Sequence, residues 1–217
     1  MSSIVLEESI RIPFWVSDHE SFRRWARSDE FPDHGWYSYL DGELWVDTSM
    51  EKAIHNWIKG RIGAVLDSLA QQANSGRFFF DRMLLTHLGA ALSTEPDGMF
   101  VRFDSFKSGI ARLVGGKDSL ELIGSPDMTL EVISRHSVRK DTEVLRELYW
   151  RAGVREYWLV DSRAERPALE ILRYAARGFV TTRKQAGWVK STVFGKSFRL
   201  EQGVDPLGQP EFTLRIR

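Results

Sequence analysis

The chain has 217 residues, 42% hydrophobic and 12% aromatic, enough for one substantial core and unlike a disordered or fibrous composition. Thirty basic residues balance thirty acidic ones, so no net field steers the protein onto a polyanion, and nucleic acid would have to be met by a local patch. The absence of cysteine excludes disulfides, thiolate nucleophiles and cysteine-ligated zinc or iron–sulfur sites.

No secretory h-region follows Met1, and no apolar run approaches the ~18 residues of a membrane span, so the expectation is a soluble, cytoplasmic protein without a membrane partner. With no internal repeat or Pro/Ser-rich linker, residues 1–217 read as a single domain. Ser17 and Glu20 have capping-box spacing ahead of a short helix carrying Phe22 and Trp25. GWYSYLDGELWVD then reads as two strands around an Asp41-Gly42 turn. Thr48 and Glu51 repeat the capping-box spacing before a longer helix, in which Ile54, Trp57, Ile58, Ile62, Val65, Leu66 and Leu69 recur at helical period. Strands are expected at RFFFDRMLLT (77–86), EPDGMFVRF (95–103) and PDMTLEVIS (126–134), with KSGIARLVGGKDS as a surface loop between the last two. Ser137 can cap a third helix with the apolar stripe Val144, Leu145, Leu148, Tyr149 and Ala152, ended by Gly153. REYWLVD and ALEILRYA form a further hairpin, followed by short β pieces to the C-terminus. The core order α-β-β-β-α-β favours an α/β fold with a mixed central sheet flanked by helices and extra hairpins at both ends.

PDMTLEVIS places carboxylates inside an apolar alternation. Asp127, Thr129, Glu131 and Ile133 share one face of the strand, and Met128, Leu130, Val132 and Ser134 the other. Asp97 opens the preceding strand, so if the two strands are neighbours, Asp97 and Glu131 converge. Two such carboxylates suit Mg²⁺, which prefers hard oxygen ligands, and suit metal-assisted phosphodiester hydrolysis. Equally open from spacing alone is that both Pro-Asp pairs mark strand entries and Glu131 is salt-bridged or faces solvent on an edge strand.

The segment PDMTLEVISRHSVRKDTEVLRELYWRAGVREYWLVD, with EPDGMFV and DGELWVD upstream, resembles the Uma-two family of bacterial restriction endonucleases, a branch of the PD-(D/E)xK nuclease superfamily, over about residues 37 to 200. The resemblance implies a restriction-endonuclease-like fold and Mg²⁺-dependent cleavage of DNA, with Mn²⁺ as an alternative ion. Carried over by position, Asp97 and Glu131 match the two metal carboxylates and Asp127 the strand-entry acid, while Glu43 and His55 match positions that recur in the family. The sequence departs from the pattern at the lysine. Ile133 stands two residues after the second carboxylate, and Leu145 occupies the helix position to which this family resembles moving its lysine. Lys140, counted with Asp97 and Glu131 as a catalytic candidate, or Arg146 could substitute; arginine would clamp phosphate rather than act as a base. Arg135 and Arg139, at the strand-to-helix junction, are candidates for phosphate binding, though a solvated basic turn explains them equally well. Tyr149 and Tyr157 suit the interior better than catalysis. The eight tryptophans could stack bases or form a homodimer interface, but most read as core. The resemblance thus leaves two outcomes: an endonuclease weakened at Leu145, or a degenerate nuclease-fold module that binds nucleic acid or protein.

Overall fold

The computed structural model describes residues 11–163 and 166–217. The first half contains α1 (His19–Ala26), β1 (Trp36–Leu40), β2 (Glu43–Asp47), α2 (Ala53–Gln72), β3 (Gly76–Phe80), β4 (Leu84–His87), β5 (Leu92–Thr94), β6 (Gly98–Arg102) and α3 (Phe103–Lys107). The second contains β7 (Ala111–Leu113), β8 (Glu121–Gly124), β9 (Met128–Ile133), α4 (Leu145–Arg151), β10 (Glu156–Asp161), β11 (Ala168–Arg173), β12 (Val180–Thr181), β13 (Val189–Lys190), β14 (Ser197–Val204) and β15 (Pro210–Ile216). One six-stranded sheet runs β2-β1-β5-β4-β8-β7, another runs β12-β11-β10-β9-β6-β3, and β13-β14-β15 form a third. No helix among the described residues is long and apolar enough to cross a membrane.

Strand β9 organises the second sheet. It runs parallel to β10, reached through the α4 crossover, and antiparallel to β6. All six of its residues are buried. Met128, Leu130 and Val132 pack with Ile58, Ile62 and Leu66 of α2, while Ile133 packs with Leu145, Leu148 and Tyr149 of α4. The two faces expected from the sequence alternation are therefore both core faces, and the reading of Glu131 as a solvent-facing edge residue does not hold.

Several local expectations shift. The α1 capping box uses Asp18 and Ser21, one residue beyond Ser17 and Glu20: the Asp18 carboxylate accepts from the Ser21 amide at 2.8 Å, and the Ser21 hydroxyl accepts from the Asp18 amide at 2.9 Å. Helix α2 begins at Ala53, later than the Thr48–Glu51 spacing suggests, and has no side-chain cap because its N-cap residue is Lys52, which offers no acceptor; Glu51 bonds His55 and Lys59. Trp57, placed on its apolar stripe by period, is 44% exposed. The stretch expected as one strand over 77–86 breaks at Arg82 (φ 73°), so that β3 and β4 enter different sheets. The expected surface loop contains β7, which pairs with β8. The Asp41-Gly42 turn forms as predicted, with φ 51° and 93°, the pair of positive values a tight hairpin needs.

The C-terminal sheet is tied down by one acid. Glu156, fully buried at the start of β10, accepts from the Trp158 indole (3.0 Å), the Ser191 and Thr192 hydroxyls (2.6 and 2.7 Å) and the Val193 amide (3.1 Å). A buried carboxylate is tolerable only when saturated with donors in this way.

Gly98 opens β6 between Phe80 and Leu130, and a Cβ there would lie 2.6 Å from Phe78 Cζ. Gly98→Ala is expected to destabilise by ~1–3 kcal/mol through overpacking, read as a lowered urea midpoint at unchanged slope. An unchanged midpoint would mean that the Phe78 ring yields freely.

Candidate active site

The site forms where the β6–β9 ladder stops. Proline has no amide to donate, and β6 begins two residues after Pro96, at Gly98, opposite Leu130. Beyond that point both backbone groups of Val132 turn to side chains. Its amide donates to Asp97 Oδ2 at 2.7 Å, and its carbonyl accepts from His55 Nε2 at 2.5 Å. A carbonyl only accepts, so Nε2 carries a hydrogen here. The same nitrogen is 3.5 Å from Asp97 Oδ2.

Asp97 and Glu131 do converge, on a cleft of about 220 Å³ that Lys140, Asp141, His55 and Arg135 also line. Glu131 is 3% exposed, and its Oε1 accepts from the Tyr149 hydroxyl at 2.7 Å. Asp141 lies in the turn that heads α4, and Tyr149 follows eight residues on, within that helix. A π turn over Lys140–Val144 widens the start of this helix, and both Lys140 and Asp141 reach the cleft. Lys140 Nζ is 3.7 Å from Asp141 Oδ1 and makes no closer polar contact among the described residues. The Tyr157 hydroxyl braces the turn by donating to the Asp141 carbonyl at 2.9 Å.

Burial dominates the electrostatics. It raises the Glu131 carboxyl well above its usual range, and the neighbouring Asp97 charge adds to the effect. Asp97 is raised by burial against the opposing pull of His55, Lys59 and the Val132 amide. Asp141 is pushed up to about 6, again mainly by burial. Burial works against the charge of Lys140, but Glu131, Asp141 and Asp97 outweigh it and raise its value. The cleft thus gathers carboxylates that want positive charge, and Asp141 Oδ1 is buried with no hydrogen-bond partner among the described residues.

Two groupings could hold a divalent ion. Asp97 and Glu131, with Asp141 beside them, offer hard oxygen donors of the kind Mg²⁺ and Mn²⁺ take. Glu51, His55 and Asp97 also have ligand atoms within 4.8 Å of one another. In that trio, however, His55 would have to release the Val132 carbonyl, and Glu51 Oε1 already accepts from His55 Nδ1 at 2.5 Å and Lys59 Nζ at 2.6 Å. Among the described residues that trio is the grouping of three whose ligand atoms lie within 4.8 Å of one another, whereas Asp97, Glu131 and Asp141 share the cleft lining without reaching that spacing.

The other candidates from sequence lie elsewhere. Glu43 is exposed at the start of β2 and does not line the cleft, because it sits beside the tight turn rather than under the sheet. Asp127 is buried at the far end of β9, where it accepts from the Ser105 hydroxyl (2.7 Å) and the Arg102 amide (2.8 Å), a brace for strand entry. Arg146 points to the Phe179 carbonyl at 3.1 Å. Arg139 stacks 5.4 Å above the Trp45 ring, outside the cleft lining. Tyr157 is interior as expected, whereas Tyr149, equally buried, also holds a site carboxylate. Sequence reasoning missed Glu51, Lys59 and Asp81. The signal was available: Glu51, His55 and Lys59 are spaced by four, a polar line on a helix whose neighbouring positions are apolar.

Residues 19–208 match the family model Uma2, described as putative restriction endonuclease. The match begins earlier than the stretch that carries the resemblance in sequence. A solved structure, that of a putative nuclease belonging to DUF820 from Anabaena variabilis ATCC 29413, is similar in fold, with a TM-score of 0.62 over 82% of this chain and 90% of that one at 17% identity. None of the curated proteins matches the chain.

The raised Asp141 value has a testable sign. A carboxyl whose value is higher folded than unfolded favours the fold when protonated, so its contribution is present at acid pH and lost as pH rises through about 6. In EDTA, wild type is expected to lose stability relative to Asp141→Asn between pH 5 and 7.5, by about 1 kcal/mol. Thermal melts of both proteins across that range check it, and a pH-independent difference would refute it.

Proposed function

The chain belongs to the Uma2 family, and from that membership we propose that it is a divalent-metal-dependent endonuclease that hydrolyses DNA phosphodiesters in this cleft. The observation that carries the reading is the convergence of Asp97, Glu131 and Lys140 on one buried, acid-rich surface. Asp97 and Glu131 would hold Mg²⁺, or Mn²⁺ in its place, with Asp141 able to add a third oxygen. Such an ion, when bound, supplies Lewis-acid stabilisation of charge on the phosphate.

The protein's own groups do the rest. Tyr149 fixes the Glu131 carboxylate through its hydrogen bond, and the Val132 amide fixes that of Asp97. Lys140 offers an ammonium with unused donors at the cleft wall, placed to orient an attacking water and to offset developing charge. It takes the role left empty at Leu145, whose side chain is fully buried in the apolar cluster under α4. On this reading the family's lysine function is moved to Lys140 rather than lost, and its place in the cleft lining supports an active enzyme over a degenerate binding module. Arg135 is exposed at the rim, where a guanidinium can meet a flanking phosphate of the substrate.

Cleavage of plasmid DNA by the full chain is expected with Mg²⁺ or Mn²⁺ and not in EDTA. Glu131→Gln and Lys140→Met should each lower the rate by ~10²-fold or more, the scale of losing one preorganised stabilising group, while Lys140→Met keeps its Mn²⁺ affinity. Cleavage that survives Glu131→Gln would place the chemistry elsewhere. DNA binding without cleavage in wild type would support the degenerate module.

A further inference from the structure

Lys59 lies on α2, beside Asp97, and is 8% exposed. Three carboxylates converge on its ammonium: Glu51 Oε1 at 2.6 Å, Asp81 Oδ2 at 2.7 Å and Asp97 Oδ1 at 3.7 Å. They come from the approach to α2, from the break between β3 and β4, and from the approach to β6, so the cation gathers three separate segments. Two of these acids, Glu51 and Asp97, belong to the trio whose ligand atoms are spaced for a metal ion.

We propose that Lys59 is a resident cation occupying the second cation position of the cleft, so that the protein loads a single divalent ion, between Asp97 and Glu131. This rests on the metal-dependent reading above. Asp97 is the shared wall of two acid clusters, one holding Lys59 and the other facing Glu131. A dication entering the Glu51–His55–Asp97 cluster would meet an ammonium already bonded to Glu51 Oε1, one of the oxygens it needs. Like charges that close repel strongly in a buried setting. Lys59 pairs with Asp97 Oδ1 at 3.7 Å while the Val132 amide bonds Oδ2, which makes it a positioning residue for the carboxylate rather than a group that touches substrate.

Mn²⁺ titration of the full chain, with free Mn²⁺ read by electron paramagnetic resonance, tests the assignment. Wild type should bind one ion, and Glu131→Gln should bind none. Lys59→Gln, which removes the charge but keeps a donor, should bind two, one of which survives in the Lys59→Gln, Glu131→Gln double variant. Lys59→Arg should stay at one. Two ions in wild type, or one in a folded Lys59→Gln, would overturn the role of Lys59 while leaving the Glu131 site standing. No binding in wild type would overturn both. Should Lys59→Gln not fold by circular dichroism, anomalous scattering from Mn²⁺-soaked wild-type crystals decides. A lone peak between Asp97 and Glu131 supports the proposal, and a peak on Glu51 and His55 sinks it.

Discussion

The structure depends on one awkward placement, a carboxylate in the middle of a strand that is covered on both faces. Glu131 occupies β9 between the α2 layer and the α4 layer. Only 3% of its surface is exposed, toward the cleft, so its charge must be met largely by protein groups or by an ion, or else be suppressed by protonation. Tyr149, Lys140 and Asp141 are arranged around that requirement, and the π turn at the head of α4 is the local distortion that lets two adjacent residues serve it. π turns of this kind are uncommon and tend to occur where a helix serves a site.

The cleft is balanced unevenly. Around Lys59 three acids face one ammonium at short range, and the side chains there are fully engaged. Around Glu131 the acids are desolvated, one oxygen of Asp141 is unpartnered, and the single ammonium keeps its distance. Asp97 belongs to both halves. One half is satisfied within the protein, and the other gathers desolvated acids with an unpartnered oxygen. Stability given up in the second half is the usual companion of a preorganised site.

Much of this was legible in the chain. The alternation in MTLEVI fixed which side chains share a face, and the Asp97–Glu131 convergence followed once β6 and β9 were neighbours. What resisted reading was non-local. Nothing near Arg82 announces that residues 77–86 feed two sheets, because the break is a single residue in the left-handed region rather than a glycine or proline. Glu51 has capping-box spacing from Thr48, yet α2 starts only at Ala53, and Glu51 lies ahead of it, bonded to His55 and the buried Lys59. Glu43 and Arg146 matched by type and position in sequence, but strand edge and helix rotation send them elsewhere. Lys140 was distinguishable from Arg146 only through the π turn, which leaves no mark in hydrophobic period.

The end of the β6–β9 ladder gives the molecule an internal gauge. In an ordinary sheet an amide is guarded by the neighbouring backbone and reports on global opening. The Val132 amide is guarded instead by the Asp97 carboxylate, and the Val132 carbonyl by His55. Its solvent exchange and chemical shift therefore respond to Asp97, even though it lies in a strand buried along its whole length. A single resonance in the middle of the core reads the state of the cleft, with no label and no substrate.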